Sequence, residues 1–450
     1  MRCRQAVALR GRAGLIRCAG IFLILAQGMI APALAQMEGS YASSPPVVTP
    51  VYLQPRPSYD APRIELGSFI VAPSLSGMLA YDDNIFASDR DPVDDFIVRS
   101  TENLNVQSQL LSDNMALHLY HAHDWYTDHA AENADTFGVE GDGLFGITEG
   151  SSLALHAGFV QQPQLRNNAQ ADRQSRSRPV YNTIPLSVSY GQDWGRWHNQ
   201  LGLDVTQTAY IAQADASRSA TQWRYRDRLS YALAGDVWSF VQLSYSIQDW
   251  RLDPDRRNFG ALRAVGGLNL QISELVAVEF GAGVLRQHYD LAGLDDLVTP
   301  VFDGALTWNF LPLSTVIASA NRTVVGLEIA CDNLSASPGC AALPRNTLAS
   351  LSTLRGALET SSAEIGIQHE FWHDILGQVR FRFEEDKFDP VDLVDQNYAV
   401  DLGTRILVNR NLVLDVSYQL DIRAANKDIL LYNSGPYRAN MVSLTLKAAM

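Results

Sequence analysis

Long apolar runs, lysine and cysteine are what this 450-residue chain has least of. Beyond residue 35 no stretch approaches the ~20 consecutive apolar residues of a membrane-crossing helix, so that route through a bilayer is excluded for the bulk of the chain. Lysine occurs only at Lys387, Lys427 and Lys447, and 35 basic residues face 49 acidic ones for a net charge of −14. A chain this acidic lacks the dense basic footprint that nucleic-acid binding requires. Four cysteines are too few for a disulfide scaffold, and Cys3 and Cys18 fall in the first 35 residues.

Those first residues have their own pattern. Arg2, Arg4, Arg10, Arg12 and Arg17 precede the apolar run Ile21–Leu25, and Ala33-Leu34-Ala35 supplies small residues for cleavage. This is the order of a secretory signal peptide, so residues 1–35 are expected to be removed in an oxidising compartment. Losing five arginines and no acids takes the net charge to −19. Residues 36–65 carry Pro45, Pro46, Pro50, Pro55, Pro57 and Pro62 among small polar residues, a composition suited to an extended, poorly ordered periplasmic tail. Cys331 and Cys340 frame a polar, turn-rich stretch and read as a loop-closing disulfide; no second ligand pair is spaced for zinc.

From residue 66 to 450 the chain pulses. Turn clusters at 112–114, 148–150, 194–196, 235–236, 273–274, 311–313, 373–374 and 409–411 recur about every 36–46 residues, with one longer gap before 373. Alternating runs of about ten residues flank each turn, as in strands that cross an outer membrane. In 412–423, Leu412, Leu414, Val416, Tyr418, Leu420 and Ile422 share one face, and Asp415, Ser417, Gln419, Asp421 and Arg423 share the other. Eight hairpins plus a first strand at about 66–81 and a last at about 437–450 predict an all-β, antiparallel up-and-down transmembrane barrel of about eighteen strands, both ends periplasmic. The longer intervening segments become outer loops, the largest at 326–360 with a helical-looking run at 348–358. A soluble sandwich would also alternate, but Trp125, Trp194, Trp197, Trp223, Trp250, Trp308 and Trp372 fall near turns and loop edges, at the depth of aromatic girdles.

The candidate chemistry is thin. His369-Glu370-Phe371-Trp372-His373 satisfies the H-E-x-x-H zinc-protease pattern, which works only on a helix; here it closes an alternating strand and becomes a turn. His121 and His123 share a face with Leu117, Leu119 and Trp125, which places them at the outer interfacial belt. Arg224, Arg226 and Arg228 share a face opposite Trp223, Tyr225 and Leu229, so they are expected to line the lumen and attract anionic groups or pair with acids. Arg380, Arg382 and Arg405 are expected to point inward too, with Glu140, Asp142, Glu384, Asp401 and Asp415. Asp227 falls on the lipid phase, which is costly away from the rim. Arg166, Arg173, Arg176 and Arg178 suggest a solvated outer loop or contact with acidic polysaccharide. No catalytic residue, metal site or cofactor is expected.

Tyr81-Asp82-Asp83-Asn84-Ile85-Phe86 resembles the segment that ends the first strand in the β-barrel porin type 2 family, with Tyr81, Asp83 and Asn84 as its marked residues. The His-Glu turn at 369–373 and the ending Tyr418, Arg423, Tyr432 and Tyr437-Arg438-Ala439-Asn440 resemble the same family, although the terminal Met450 replaces the usual aromatic. The resemblance implies an integral outer-membrane barrel in contact with lipid, found beside exopolysaccharide or capsule export systems. It further implies a polysaccharide-export lipoprotein and a polysaccharide chain as partners. The expected function is therefore export of surface polysaccharide, with a general diffusion porin for small hydrophilic solutes as the alternative. A barrel hydrolase has no convincing nucleophile–base pair to support it.

Overall fold

A computed structural model describes residues 48–450 except 90, 111–112, 169–176, 252–257, 291–294, 327–356, 389–392 and 426–435. The expected signal peptide and the Cys331–Cys340 disulfide lie outside the described residues, as does most of the helical-looking run at 348–358. A three-residue strand, β1 (Ile64–Leu66), leads into β2 (Phe69–Asp82), β3 (Asp95–Ser108), β4 (Asp113–Tyr126), β5 (Ala134–Thr148), β6 (Ser151–Pro163) and β7 (Val180–Trp194). Then come β8 (Trp197–Tyr210), β9 (Ala220–Ala234), β10 (Val237–Trp250), β11 (Phe259–Ser273), β12 (Val276–Tyr289) and β13 (Leu297–Leu311). The last six are β14 (Ser314–Gly326), β15 (Ala357–Trp372), β16 (Ile375–Phe388), β17 (Leu393–Asn409), β18 (Leu412–Ala425) and β19 (Tyr437–Ala449).

Each long strand pairs antiparallel with its chain neighbours, and β19 pairs with β2, so the eighteen long strands close into a barrel. Closure leaves no unpaired edge, which is the condition for a sheet to lie in lipid. Strands of 13–17 residues, tilted as in such barrels, are long enough for a hydrocarbon layer of about 30 Å. Two-residue turns such as Glu149-Gly150, Gly195-Arg196 and Gly235-Asp236 gather at one end. Gly150, Gly195 and Gly235 adopt the positive φ that such hairpins demand. The start of β2 and the end of β19 lie at that same end, which the short-turn asymmetry of such barrels makes the periplasmic one.

The outward face carries the apolar phase expected from the alternation: Val416, Ile422, Val442, Leu444 and Leu446 are all exposed large hydrophobics. Buried clusters sit on the inside instead. Ile85 and Phe86, from the loop after β2, pack down on Met78, Ala80 and Ile97 of the inner wall. On the far side Val324 and Ala357, at the outer ends of β14 and β15, pack on Phe259, Leu285 and Val301. The expected free tail differs over its described part. Residues 48–60 turn back into the periplasmic mouth, where Val51 packs on Leu376 and Leu407.

Candidate functional site: the inner wall

The structure places Arg224, Arg226 and Arg228 on the inward face of β9, alternating with exposed Trp223, Tyr225, Asp227 and Leu229. Two of the three are neutralised across the sheet. Arg226 reaches Asp204 of β8 at 3.4 Å, and Arg228 reaches Glu279 of β12 at 3.0 Å. The Arg228 guanidinium also lies 3.7 Å from the centroid of the Phe240 ring. That ring fits because Gly267 and Gly281 leave the wall bare beneath it; a Cβ at Gly281 would come within 3.1 Å of Phe240. Arg224 lies opposite Asp204 in the β8–β9 register and has no ion-pair partner within 4 Å among the described residues.

The opposite wall is a lattice of diagonal and direct pairs. Arg380 approaches Glu364 at 3.4 Å, Arg382 approaches Asp401 at 3.1 Å, and Arg405 meets Asp415 at 2.8 Å. Glu384 stands across from Asn397. On the near side Glu140 lies 3.9 Å from His118, and Asp142 lies 2.9 Å from His156. All eleven residues singled out for the lumen thus lie on inward strand phases, and most are held by an opposite charge. Such pairing fixes side chains while keeping the wall wettable. Their acid partners Asp204, Glu279 and Glu364 were missed by reading strands singly; hairpin register supplies the signal.

The outer mouth holds a tighter knot. Glu132, 2 % exposed, receives Arg166 at 2.6 Å and Arg178 at 3.4 Å. Arg178 also lies 4.0 Å from Asp124, which is paired to Arg99. Arg166 and Arg178 are therefore not the solvated loop residues that composition suggested, because a buried carboxylate draws both inward. Arg173 and Arg176 lie outside the described residues.

The histidines resolve by phase. His121 and His123 face outward; His121 sits between Glu102 (2.8 Å) and Asp135 (3.3 Å), and His123 lies 2.5 Å from the same Asp135. Near the outer rim, His288 and Arg286 hold loop residue Asp296, in that order the causes that keep its carboxyl below the usual range. In the H-E-x-x-H motif, strand geometry separates the imidazoles: His369 bonds Ser314 at 2.8 Å, while His373 lies in the turn. Among the described residues, no group of three or more potential ligands is arranged to hold a metal ion.

Two features had partners that the sequence did not show. The first is a clasp. Asp83 accepts hydrogen bonds from the Asn440 backbone N–H and Nδ2, both at 2.6 Å, and the Asn84 side chain donates to the Arg438 carbonyl at 3.0 Å. Tyr81 donates to Asp94 at 3.0 Å. The family-like residues near the two ends of the barrel therefore meet across the β2–β19 seam. The second is the lipid-facing Asp227, which accepts from Asn199 Nδ2 at 2.6 Å midway along β9. Replacing both (D227L/N199L) should raise stability in lipid by about 1–2 kcal/mol, read by denaturant titration in vesicles. An unchanged or lower midpoint would show that this polar pair is not a lipid-facing liability.

Residues 56–332 and 350–450 match the family model described as "Putative beta-barrel porin 2". No curated protein matches the chain. Among solved structures, OpdK of Pseudomonas aeruginosa, crystallised with vanillate, is similar at 10% identity over 84% of this chain and 98% of that one, with a TM-score of 0.44. OccAB3 of Acinetobacter baumannii is similar at 11% identity over 84% and 99% of the two chains, TM-score 0.44. OpdO of Pseudomonas aeruginosa is similar at 12% identity over 85% and 97%, TM-score 0.43.

Proposed function

The chain belongs to this beta-barrel porin 2 family, and on that premise we propose that it is a water-filled passage for small hydrophilic solutes. It is an integral outer-membrane barrel, porin-like in build. What supports a passage is the inner wall. Its strand faces carry charged side chains of both signs, from Arg226 and Arg228 round to Arg382 and Arg405, where a sealed barrel could be filled with apolar ones. Mixed signs keep water and ions in the lumen without a single strong field, so discrimination between anions and cations should be modest.

The test is electrical. Refolded protein inserted in planar bilayers should give discrete conductance steps, and a correctly folded barrel that stays silent would refute the passage. Export of exopolysaccharide or capsule, beside a polysaccharide-export lipoprotein, is implied by the family resemblance, and no feature of the barrel selects it over small solutes. A clean deletion strain that secretes normal polysaccharide would remove that reading and leave the diffusion channel.

A further inference from the structure

Val48 to Asp60 occupies the periplasmic mouth without joining the barrel's strand ladder. Val51 is fully buried against Leu376 of β16 and Leu407 of β17. Its backbone N–H donates to Thr315 Oγ1 at 2.9 Å, and that of Tyr52 donates to Gln368 Oε1 at 3.3 Å. Arg56 Nη2 donates to Glu370 Oε2 at 2.7 Å and to the Val51 carbonyl at 2.9 Å, with the two ionised side chains 5% and 10% exposed. The same guanidinium bonds the Gln54 carbonyl at 3.0 Å, so it also shapes the turn that carries it. Outside the mouth, Arg410 donates to the Asp60 carbonyl and the Tyr59 ring meets His373 edge-on.

The receptors for this segment are inward or turn residues of β13 to β18, Asn309 of β13 donating to the Thr49 carbonyl at 3.0 Å, so the segment stands in the path through the barrel. Burial there pushes the Tyr52 hydroxyl up to about 12, and the Tyr52 ring lies 5.4 Å from the Arg405 guanidinium, covering one pair of the inner wall. The attachment depends on a small apolar anchor, the buried Val48 and Val51 with Tyr52 and Tyr59 beside them, a few side-chain hydrogen bonds and one ion pair. Such a unit can detach while all eighteen long strands stay paired. A buried ion pair contributes little net stability but strongly favours one arrangement, which suits a latch better than a foundation. It also gives the His369–His373 motif a role: strand phase turns Glu370 inward while His369 and Phe371 face out.

We propose that residues 48–60 are a latched strap that narrows the periplasmic end of the lumen, with Arg56 and Glu370 as its latch; this rests on the passage reading above. Release widens the route, and re-docking restores the narrow state.

The experiment uses the full refolded barrel, with heat-modifiable mobility confirming the fold of each variant. Charge reversal R56E places two carboxylates together and should raise single-channel conductance about twofold, as removal of a constriction does. The swap R56E/E370R should return it most of the way to the parent value, the shortfall reflecting the lost bonds from Arg56 to the Val51 and Gln54 carbonyls. V51C supplies an independent readout: a hydrophilic maleimide, located by peptide mass, should spare it in the parent background and modify it in R56E. E370Q serves if R56E does not fold, with the same directions expected. Conducting barrels whose conductance and V51C labelling are both unmoved by R56E would overturn the latch. Barrels silent in every form, whose labelling still follows the charge swap, would refute the passage and support the latch.

Discussion

Replacing Arg423 with methionine is expected to cost the folded barrel about 3–5 kcal/mol, the range for removing one partner of a buried ion pair. Arg423 of β18 donates to Asp395 of β17, and their side chains are 1% and 0% exposed. Asp395 also lies directly opposite Asp386 across the β16–β17 ladder. Asp386 is itself buried and receives a hydrogen bond from Thr360 at 2.6 Å. Like charges placed opposite each other destabilise a sheet, so the guanidinium offsets a repulsion as well as forming a pair. Without it, two carboxylates would face each other in a water-poor corner. Denaturant titration in vesicles, followed by tryptophan fluorescence, measures the loss. The double variant R423M/D395L should recover most of it, since an apolar pair of similar volume leaves no orphan charge. A loss below about 1 kcal/mol for R423M would mean that this corner is hydrated and the pair ordinary.

The second large effect is expected at the clasp. Asp83 accepts two hydrogen bonds from Asn440, whose side-chain oxygen in turn accepts from Tyr418 at 2.9 Å. Hydrogen bonds to a charged acceptor contribute about 1.5–3 kcal/mol each, so D83A should destabilise the barrel by about 3 kcal/mol or more. The damage should be local to the β2–β19 seam. Hydrogen exchange on those two strands should accelerate while β8 to β12 stay protected. Uniform acceleration across all strands would count against a seam-specific role, and D83N, which keeps one acceptor oxygen, should fall between.

Strand phase was readable in the sequence wherever the wall is regular. A period of two, punctuated by turns of two residues, is a local property, so Leu412–Ile422 and Arg224–Arg228 could be assigned to faces without any knowledge of neighbours. Partner choice is not local. Asp204, Glu279 and Glu364 become visible as partners only once register is known, because a shift of one residue would send each to the other face. The strap was hidden for a different reason. Pro50, Pro55 and Pro57 mark a segment unable to join a ladder, which reads as a tail. Proline also restricts the free chain, lowering the entropy lost on docking, and nothing in residues 48–60 announces receptors lying about 250 to 350 residues away. Arg166 and Arg178 misled in the same way. Their loop composition is polar, but Glu132, placed in a short turn after β4, takes both out of solvent.

The clasp joins residues 357 positions apart, so it is among the last contacts a growing chain can make. A polypeptide cut short just before β19 would keep most of its alternating strands yet present two naked edges, at β2 and at its own final strand. Such edges recruit other chains, and long-range pairings of this kind form slowly. The presence of β19 is therefore checked by the molecule itself: only a chain that carries it can become a closed ring, and one that lacks it is left as a substrate for aggregation or degradation.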